Sequence, residues 1–123
     1  MKRVLVIDDA ATVRMFHRSI LEGAGYSVDE AVNGMEALEK ALPSPYDLYL
    51  VDVNMPTMDG YSFLRRFRSE AVPQAPAIMV STEAAPSDEV EAYRAGANTY
   101  IIKPVNPALL LSCVRLLLGE PVL

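Results

Sequence analysis

The chain has 123 residues, of which 51% are apolar and 22% charged, as in an ordinary soluble globular protein. This length predicts one domain, residues 1–123, with a substantial core. No stretch approaches the roughly 20 apolar residues that a membrane helix needs, so we expect no membrane insertion. The apolar run after Arg3 is too short for a secretory leader, and the single cysteine cannot form an internal disulfide. We therefore expect a cytoplasmic protein.

The charge of the chain argues against nucleic acid as a direct partner. The formal net charge is −5, whereas contacts to phosphate backbones need Lys and Arg gathered on one face. The cationic cluster Arg65, Arg66 and Arg68 is predicted to be the solvated face of a helix.

Short runs rich in Val and Ile alternate with helical patterns along the chain. The pattern predicts strands at residues 4–7, 26–32, 48–51, 78–80 and 100–102, and helices at about 12–22, 34–42, 59–68, 87–95 and 107–118. The second strand mixes charged residues into its run, which is typical of an edge strand. Alternation of strand and helix, five times over, predicts a parallel sheet with helices on both faces.

Two of the predicted helices carry expectations about individual residues. In the first helix, Thr12 is a candidate cap, Val13, Phe16 and Ile20 form the predicted inward stripe, and His17 is predicted to be solvated rather than a metal ligand or phosphocarrier. In the third helix, Asp59 is predicted to cap the first turn.

Acidic side chains follow two of the predicted strands. Asp8 and Asp9 follow the first strand and Asp52 follows the third, and the carboxyl ends of parallel strands are where such sheets bind ligands. Each close pair of these carboxylates would cost about 4 kcal/mol at a separation of about 4 Å in an effective dielectric of about 20. Such a cluster needs a cation, and oxygen ligands with no His or Cys suit Mg²⁺.

Two further strand ends carry groups that suit a phosphate. Lys103, after the fifth strand, can pair with a phosphoryl oxygen, and the hydroxyl of Ser81, after the fourth strand, can donate to another. An ionised carboxylate that attacks phosphorus forms an aspartyl phosphate. Asp52 is the predicted nucleophile, because it ends what should be the central strand and precedes a loop marked by Pro and Gly.

These segments together resemble the receiver domain of two-component response regulators, over essentially the whole chain. The resemblance rests on Asp8-Asp9, on the run Asp-Val-Asn-Met-Pro-Thr-Met-Asp-Gly at residues 52–60, on Ser81, and on Lys103-Pro104. It implies a flavodoxin-like (βα)5 sandwich whose sheet has the strand order 2-1-3-4-5 of the chemotaxis regulators.

The resemblance also implies roles for the acidic residues. Asp52 would accept phosphate from a histidine kinase. Asp9, Asp52 and the main-chain carbonyl of Asn54 would bind Mg²⁺, and Asp8 would act through water.

The remaining implied roles concern the phosphate and the response to it. Ser81 and Lys103 would contact the phosphoryl group, with the neighbouring hydroxyl of Thr82 as the alternative to Ser81. On phosphorylation, Ser81 would move towards the phosphate and Tyr100 would rotate inward into the space vacated. Asn54 and Glu83 occupy positions that tune phosphate lifetime, and the peptide bond before Pro104 would be cis.

The last predicted helix is apolar on two sides. Leu110, Val114 and Leu117 form one stripe, and Leu109, Cys113 and Leu116 form a second. A helix of this kind normally has something covering its outer face. We expect a homodimer or a target protein to cover it; deep packing within the domain, or contact with the tail at residues 121–123, is the alternative.

The function that follows is a single-domain response regulator, with no output domain and no enzymatic activity beyond its own phosphorylation and dephosphorylation. It would act by binding another protein, first in chemotaxis or motility, and second as a phosphorelay intermediate. A haloacid-dehalogenase-like phosphatase is the alternative from another class, but Asn54 stands where those enzymes carry a second acid. A flavodoxin that binds FMN is a third, but the first loop lacks its hydroxyl residues.

Overall fold

The computed structural model describes residues 1–121, which form five strands alternating with five helices. All neighbouring strands are parallel, and their order across the sheet is β2-β1-β3-β4-β5, which confirms the predicted flavodoxin-like fold. In chain order the elements are β1 (Arg3–Ile7), α1 (Ala11–Gly23), β2 (Ser27–Ala31), α2 (Gly34–Ala41), β3 (Leu48–Asp52), α3 (Gly60–Ser69), β4 (Ala77–Ser81), α4 (Pro86–Ala95), β5 (Thr99–Ile102) and α5 (Pro107–Leu117).

The sheet is buried on both faces by two layers of helices. Successive residues of the central strand β3 alternate between these layers: Tyr49 and Val51 pack with α2, α3 and α4, whereas Leu48 and Leu50 pack with α1 and α5. The predicted inward residues of α3, Phe63, Leu64 and Phe67, are fully buried against the sheet. This burial of β3 places its carboxyl end, Asp52, at the centre of one edge of the sheet.

The predicted edge strand is confirmed, because β2 pairs on one side only, with β1. Its residue Asp29 is exposed and Glu30 is half-buried. The cap of α3 is also as predicted, since Oδ1 of Asp59 accepts a hydrogen bond from the N–H of Ser62 at 2.8 Å.

The predictions for α1 were wrong in three respects. The helix is capped by Ala10 without a side-chain bond, and Thr12 is exposed inside its first turn. Phe16 is 43% exposed, whereas His17, predicted to be solvated, is only 2% exposed. The buried residues of the helix are His17 and Leu21, and Ile20 of the predicted inward stripe packs partly buried against the core. Burial lowers the pKa of His17 despite the opposing charge of Asp8, and the neutral imidazole is cheaper to bury than a charged one.

Arg68 also differs from its predicted place on a solvated face. Its guanidinium is half-buried and donates to the main-chain oxygens of Ala75 at 2.7 Å and Gly96 at 3.0 Å. Arg68 thereby connects the end of α3 to the segment before β4 and to the residue after α4.

The last helix has one buried and one exposed stripe. Leu110 and Val114 are fully buried, whereas Leu109 is 50% and Leu116 is 71% exposed, with Cys113 of intermediate exposure between them. The alternative that the outer stripe contacts the tail at residues 121–123 falls partly outside the described residues. Between residues 1 and 121, no helix combines the length and the apolar character needed to cross a membrane.

Candidate functional site

Three acidic residues meet at the carboxyl edge of the sheet, where the sequence placed them. Asp52 is the last residue of β3, and Asp8 and Asp9 directly follow β1, the strand beside it. One carboxylate oxygen from each of the three residues lies within 4.8 Å of the others. Asp8 and Asp52 are buried, whereas Asp9 is exposed. The convergence follows from the parallel topology, which brings both strand ends to the same edge.

Lys103 joins two of these acids. Its Nζ donates to Oδ2 of Asp8 at 2.7 Å and to Oδ1 of Asp52 at 3.0 Å. Burial disfavours the Lys103 ammonium, but its hydrogen bonds to the two carboxylates outweigh burial and raise its pKa. One ammonium therefore stands against three carboxylates, and the site retains an excess of negative charge.

The pKa of Asp52 shows how poorly the site tolerates that excess. Burial raises the pKa of Asp52 to about 6, although the hydrogen bond from Lys103 acts in the opposite direction. The charges of Asp8 and Asp9 add to the rise. A cation bound among the carboxylates would favour the ionised form of Asp52 and so relieve the cost of its burial.

The donor set fits Mg²⁺. The clustered ligand atoms are all carboxylate oxygens, which hard divalent cations prefer over the nitrogen and sulfur ligands that suit zinc. Asn54 lies two residues after Asp52 on the exposed part of the β3–α3 loop. In the described part of the chain its carbonyl accepts no main-chain hydrogen bond, so this oxygen is available as a further ligand.

The start of α3 is fixed against Asp52 by close backbone packing. The N–H of Gly60 donates to the carbonyl of Val53 at 2.9 Å. A Cβ at Gly60 would lie 2.2 Å from the carbonyl oxygen of Asp52, a distance that no side chain could occupy without moving the backbone. Glycine is therefore required here for close approach rather than for an unusual φ.

The loop between Asn54 and α3 contains a strained turn. Thr57 has φ 68°, and around it the N–H of Met58 donates to the carbonyl of Pro56 at 2.7 Å, which closes a three-residue γ-turn. Positive φ is unfavourable for a β-branched residue. The carbonyl of Met58 in turn accepts from the N–H of Gly34 at 3.0 Å, so the start of α2 holds the turn in place.

Ser81 and Tyr100 both hold the backbone of Glu83. Oγ of Ser81 accepts from the N–H of Glu83 at 3.0 Å, and the hydroxyl of Tyr100 donates to the carbonyl of Glu83 at 2.7 Å. The structure thus joins the predicted switch residues through the β4–α4 loop. The Ser81 hydroxyl is not bonded to Lys103 or to the three acids in this arrangement. The neighbouring hydroxyl, on Thr82, is exposed.

A pocket of about 280 Å³ opens beside Lys103, between α1 and the segment after β5. The peptide bond between Lys103 and Pro104 at its rim is cis. This pocket was not predicted from the sequence, because His17 was expected to be solvated. The pocket is lined by Val13, Phe16, His17, Thr82, Lys103, Pro104 and Val105.

The sequence also missed Arg14, whose guanidinium donates from Nη1 to the main-chain carbonyl of Asp8 at 2.7 Å. Arg14 lies in the first half of α1, in contact with the backbone of the acidic pair. A bond to a main-chain oxygen leaves no sequence signal of its own, but Arg14 lies three residues before His17 on α1, and this helical spacing could have drawn attention to it.

An open parallel sheet with three carboxylates and a lysine at its carboxyl edge defines an α/β protein suited to a divalent cation and a phosphoryl group. The family model of the response regulator receiver domain matches residues 4–115. The chain therefore belongs to the receiver domain family of two-component signal transduction, as its motifs predicted.

Relatives of known description agree with this assignment. The chain is 36% identical over 121 residues to the chemotaxis protein CheY1 of Helicobacter pylori, covering 95% of this chain and 97% of that protein. It is 38% identical over 116 residues to the transcriptional regulatory protein ResD of Bacillus subtilis, covering 94% of this chain and 48% of ResD. It is 41% identical over 102 residues to a gliding motility regulatory protein of Myxococcus xanthus, covering 82% of this chain and 13% of that protein.

Solved structures of receivers have the same fold. A putative response regulator from Chloroflexus aurantiacus superposes with a TM-score of 0.92 at 32% identity, covering 97% of this chain and 98% of that one. The chemotaxis protein CheY4 of Vibrio cholerae superposes with a TM-score of 0.89 at 36% identity, covering 95% and 98%.

Family membership sets the general chemistry of the site. Receivers take phosphate from histidine kinases, bind Mg²⁺ at an acidic pocket and act on downstream partners; they are signalling switches rather than a catalytic family. The family match gives no support to the phosphatase or flavodoxin alternatives. The chain spans about half the length of ResD and a smaller share of the gliding motility regulator, whereas it spans nearly all of CheY1.

Proposed function

We propose that the chain is a phosphorylation-controlled switch in which Asp52 accepts a phosphoryl group from a histidine kinase with the help of Mg²⁺. The observation that supports this most directly is the meeting of Asp8, Asp9 and Asp52 within 4.8 Å, with Lys103 bonded to two of them. A buried carboxylate beside a cation site and a lysine is what an aspartyl phosphate requires.

The phosphoryl transfer proceeds at the carboxylate oxygen that Lys103 does not occupy. Lys103 holds Oδ1 of Asp52, and among residues 1–121 Oδ2 accepts no hydrogen bond, so Oδ2 is the nucleophile. A new O–P bond forms at Asp52 while the N–P bond of the donor phosphohistidine breaks, and the electron pair returns to the imidazole nitrogen. Lys103 then exchanges its bond to Asp52 for a bond to a phosphoryl oxygen.

Four residues hold the cation in this proposal. Asp9, Asp52 and the carbonyl of Asn54 bind Mg²⁺, and Asp8 acts through water. Bound Mg²⁺ supplies positive charge where the phosphoryl oxygens gather negative charge.

The response to phosphate runs through the backbone of Glu83. When the hydroxyl of Ser81 turns to the phosphoryl group, its hydrogen bond from the N–H of Glu83 breaks. The β4–α4 loop is then no longer held by Ser81. The carbonyl of the same residue is bonded to the hydroxyl of Tyr100, so a movement of the loop changes the position of Tyr100 on β5. In this way a charge added at Asp52 changes packing at the surface of α4 and β5. Thr82 serves as the alternative hydroxyl, and Asn54 and Glu83 set the phosphate lifetime.

The output surface lies on α4, β5 and α5. Large apolar side chains are exposed there together, on a part of the fold that Tyr100 adjoins. A partner protein or a second copy of the chain covers this surface, with the outer stripe of α5 at its centre. Changing Leu109 and Leu116 to Glu abolishes partner binding or dimerisation in this proposal; unchanged oligomeric state and unchanged partner binding would contradict it. The exposed residues are Val90, Tyr93, Ile102, Leu109 and Leu116, with Cys113 half-buried among them.

The cellular role that we propose is control of a partner protein in chemotaxis or motility, in the cytoplasm and without contact to nucleic acid. The likeness to CheY1 over 97% of that protein's length supports it. The net charge of −5 supports a protein partner over nucleic acid. Residues 1–123 act as one receiver unit in this proposal, and the phosphorelay role stays a prediction.

Incubation of the purified chain with acetyl phosphate and Mg²⁺, followed by intact mass measurement and sizing, tests the proposal. A phosphate adduct should form on the wild type, require the metal, and be absent from Asp52→Ala. The matched control is Glu39→Gln, which alters an exposed carboxylate away from the site and should leave the adduct unchanged. If wild type forms no adduct and its sizing and spectra do not respond to beryllofluoride with Mg²⁺, the proposed chemistry is wrong.

A further inference from the structure

Arg14 connects the end of β1 to the edge strand β2. Its Nη1 donates to the main-chain carbonyl of Asp8 at 2.7 Å, and its Nε donates to Oε1 of Glu30 at 2.8 Å. The arginine side chain is only 15% exposed. Asp8 also contacts β2 through its own backbone, since its N–H donates to the carbonyl of Ala31 at 3.1 Å. The backbone of Asp8 is therefore tied to β2 twice, once directly and once through Arg14 and Glu30.

This connection matters because the carbonyl that Arg14 holds belongs to the peptide bond between Asp8 and Asp9. The carboxylate of Asp8 has its own supports, from the N–H of Ala10 at 2.9 Å and from Nζ of Lys103 at 2.7 Å. The carboxylate of Asp9 is exposed and accepts no hydrogen bond within residues 1–121. The backbone before Asp9 therefore fixes where this side chain begins, and no side-chain hydrogen bond fixes it further.

We propose that Arg14 is a positioning residue for the cation site, which orients the Asp8–Asp9 peptide and so aims the carboxylate of Asp9 at the metal. The inference rests on the Mg²⁺ site proposed above. Arg14 does not touch the cation itself; it acts through the backbone of a ligand, in the way that groups behind metal ligands commonly fix their orientation.

Charge and geometry make opposite predictions for this residue. A cation beside three carboxylates weakens Mg²⁺ binding by repulsion, so removal of Arg14 would tighten binding if its charge were what mattered. Arg14 belongs to a network with Glu30, Arg18 and Glu22 in which two positive and two negative charges balance. Hydrogen bonds from Arg18 and Arg14 lower the pKa of Glu30 within this network. With the charge neutralised, loss of orientation dominates, and removal of Arg14 weakens binding.

The test is metal binding by Arg14→Met, Arg14→Lys and Arg18→Met, with Mn²⁺ as a paramagnetic probe and Mg²⁺ as its competitor. Arg14→Met should raise the Kd for both ions about tenfold or more, the range seen when a partner of a metal ligand is lost. Arg14→Lys keeps the charge but not the planar fork that reaches two acceptors, and should raise the Kd by a smaller factor.

Arg18→Met is the matched control. Arg18 bonds the other oxygen of Glu30 at 2.6 Å and pairs with Glu22, but it does not touch Asp8. Both methionine variants lose an ion pair to Glu30, but Arg14→Met also loses the bond to the Asp8 carbonyl from a more buried side chain, so it should lose somewhat more stability against urea. Only Arg14→Met should lose metal affinity, and only Arg14→Met should shift the Asp9 amide resonance in metal-free protein.

The outcomes distinguish failure of the positioning role of Arg14 from failure of the metal site itself. If wild type binds Mn²⁺ while Arg14→Met binds as tightly or more tightly, Arg14 is not a positioning residue, although the metal site stands. If Arg18→Met loses affinity to the same extent, the effect is general destabilisation and the inference fails. If wild type binds no Mn²⁺ at this site, both the metal site and the inference are wrong. Should Arg14→Met not fold, Arg14→Lys against Arg18→Met decides by the same criteria.

Discussion

Replacing Asp52 by Asn should stabilise the metal-free fold, although it removes the residue on which the proposed function depends. Asp52 is only 5% exposed, and burial raises its pKa to about 6 from an ordinary value of 3.8. A carboxyl with that difference in pKa is less favourable in its ionised form by roughly 3 kcal/mol. Asn has nearly the same shape and no charge to bury.

This figure already includes Lys103, because the hydrogen bond from its Nζ to Oδ1 of Asp52, 3.0 Å long, opposes the rise in pKa. In Asp52→Asn the bond ends on a neutral amide oxygen, as it would in the protonated carboxyl, while the bond to Asp8 remains. We therefore expect Asp52→Asn to raise the free energy of unfolding by up to about 3 kcal/mol at pH 8 without metal.

The dependence on pH has a definite sign. The folded-state pKa of Asp52 lies above the unfolded value, so its protonated form adds stability below about pH 3.8, and that stability is lost as the pH rises through about 6. The advantage of Asp52→Asn should accordingly be about half developed at pH 5, where the unfolded carboxyl is already ionised, and complete at pH 8. Saturating Mg²⁺ should reverse the order, because the wild type gains binding free energy that the variant lacks.

Urea unfolding followed by circular dichroism, at pH 5 and pH 8, with EDTA and then with Mg²⁺, measures each of these differences. The control is Glu39→Gln, an exposed carboxylate that should change stability little under any condition. Equal or lower stability of Asp52→Asn at pH 8 in EDTA, or an equal gain at both pH values, would refute the reasoning from burial.

Three other changes test the loop and the switch. Thr57→Gly should raise the free energy of unfolding by about 0.5–1 kcal/mol, because it relieves a positive φ of 68° at the cost of backbone entropy. Urea unfolding measures this, and a lower free energy of unfolding in the variant would mean that the turn is unstrained. Gly60→Ala should cost about 1–3 kcal/mol and weaken Mn²⁺ binding, since its Cβ would lie 2.2 Å from the Asp52 carbonyl; unchanged binding would contradict this. Tyr100→Phe should keep the phosphate adduct but lose the response of the Glu83 amide to beryllofluoride, measured by NMR; an unchanged response would exclude this bond from the switch.

The topology and the acidic site were predictable because both follow from local patterns. Four of the five strands are short apolar runs in the sequence, and helices between all five strands leave a parallel sheet as the simplest arrangement. Acids at the ends of two strands must then share an edge, so the meeting of Asp8, Asp9 and Asp52 follows from their places in the chain. Lys103 joins them for the same reason.

The contacts within the β4–α4 loop could not be predicted in this way. The residue types of Ser81 and Tyr100 suggested a switch, but their shared hold on Glu83 depends on a loop whose path no periodic pattern determines. Hydroxyl groups bond equally well to phosphate or to backbone, so the sequence alone does not say which bond Ser81 makes.

The error in α1 has a more general cause. Its inward face carries Arg14, His17 and Leu21, at spacings of three and four residues that do follow the helical period. This face is polar near the acidic site and apolar further down the sheet, because the upper part of the helix contacts the carboxyl edge and the lower part contacts the core. A search for apolar periodicity therefore selects Phe16 over its inward neighbour and overlooks Arg14. Where a helix passes behind a functional edge, polar residues that continue an apolar stripe towards that edge are themselves candidates for the site.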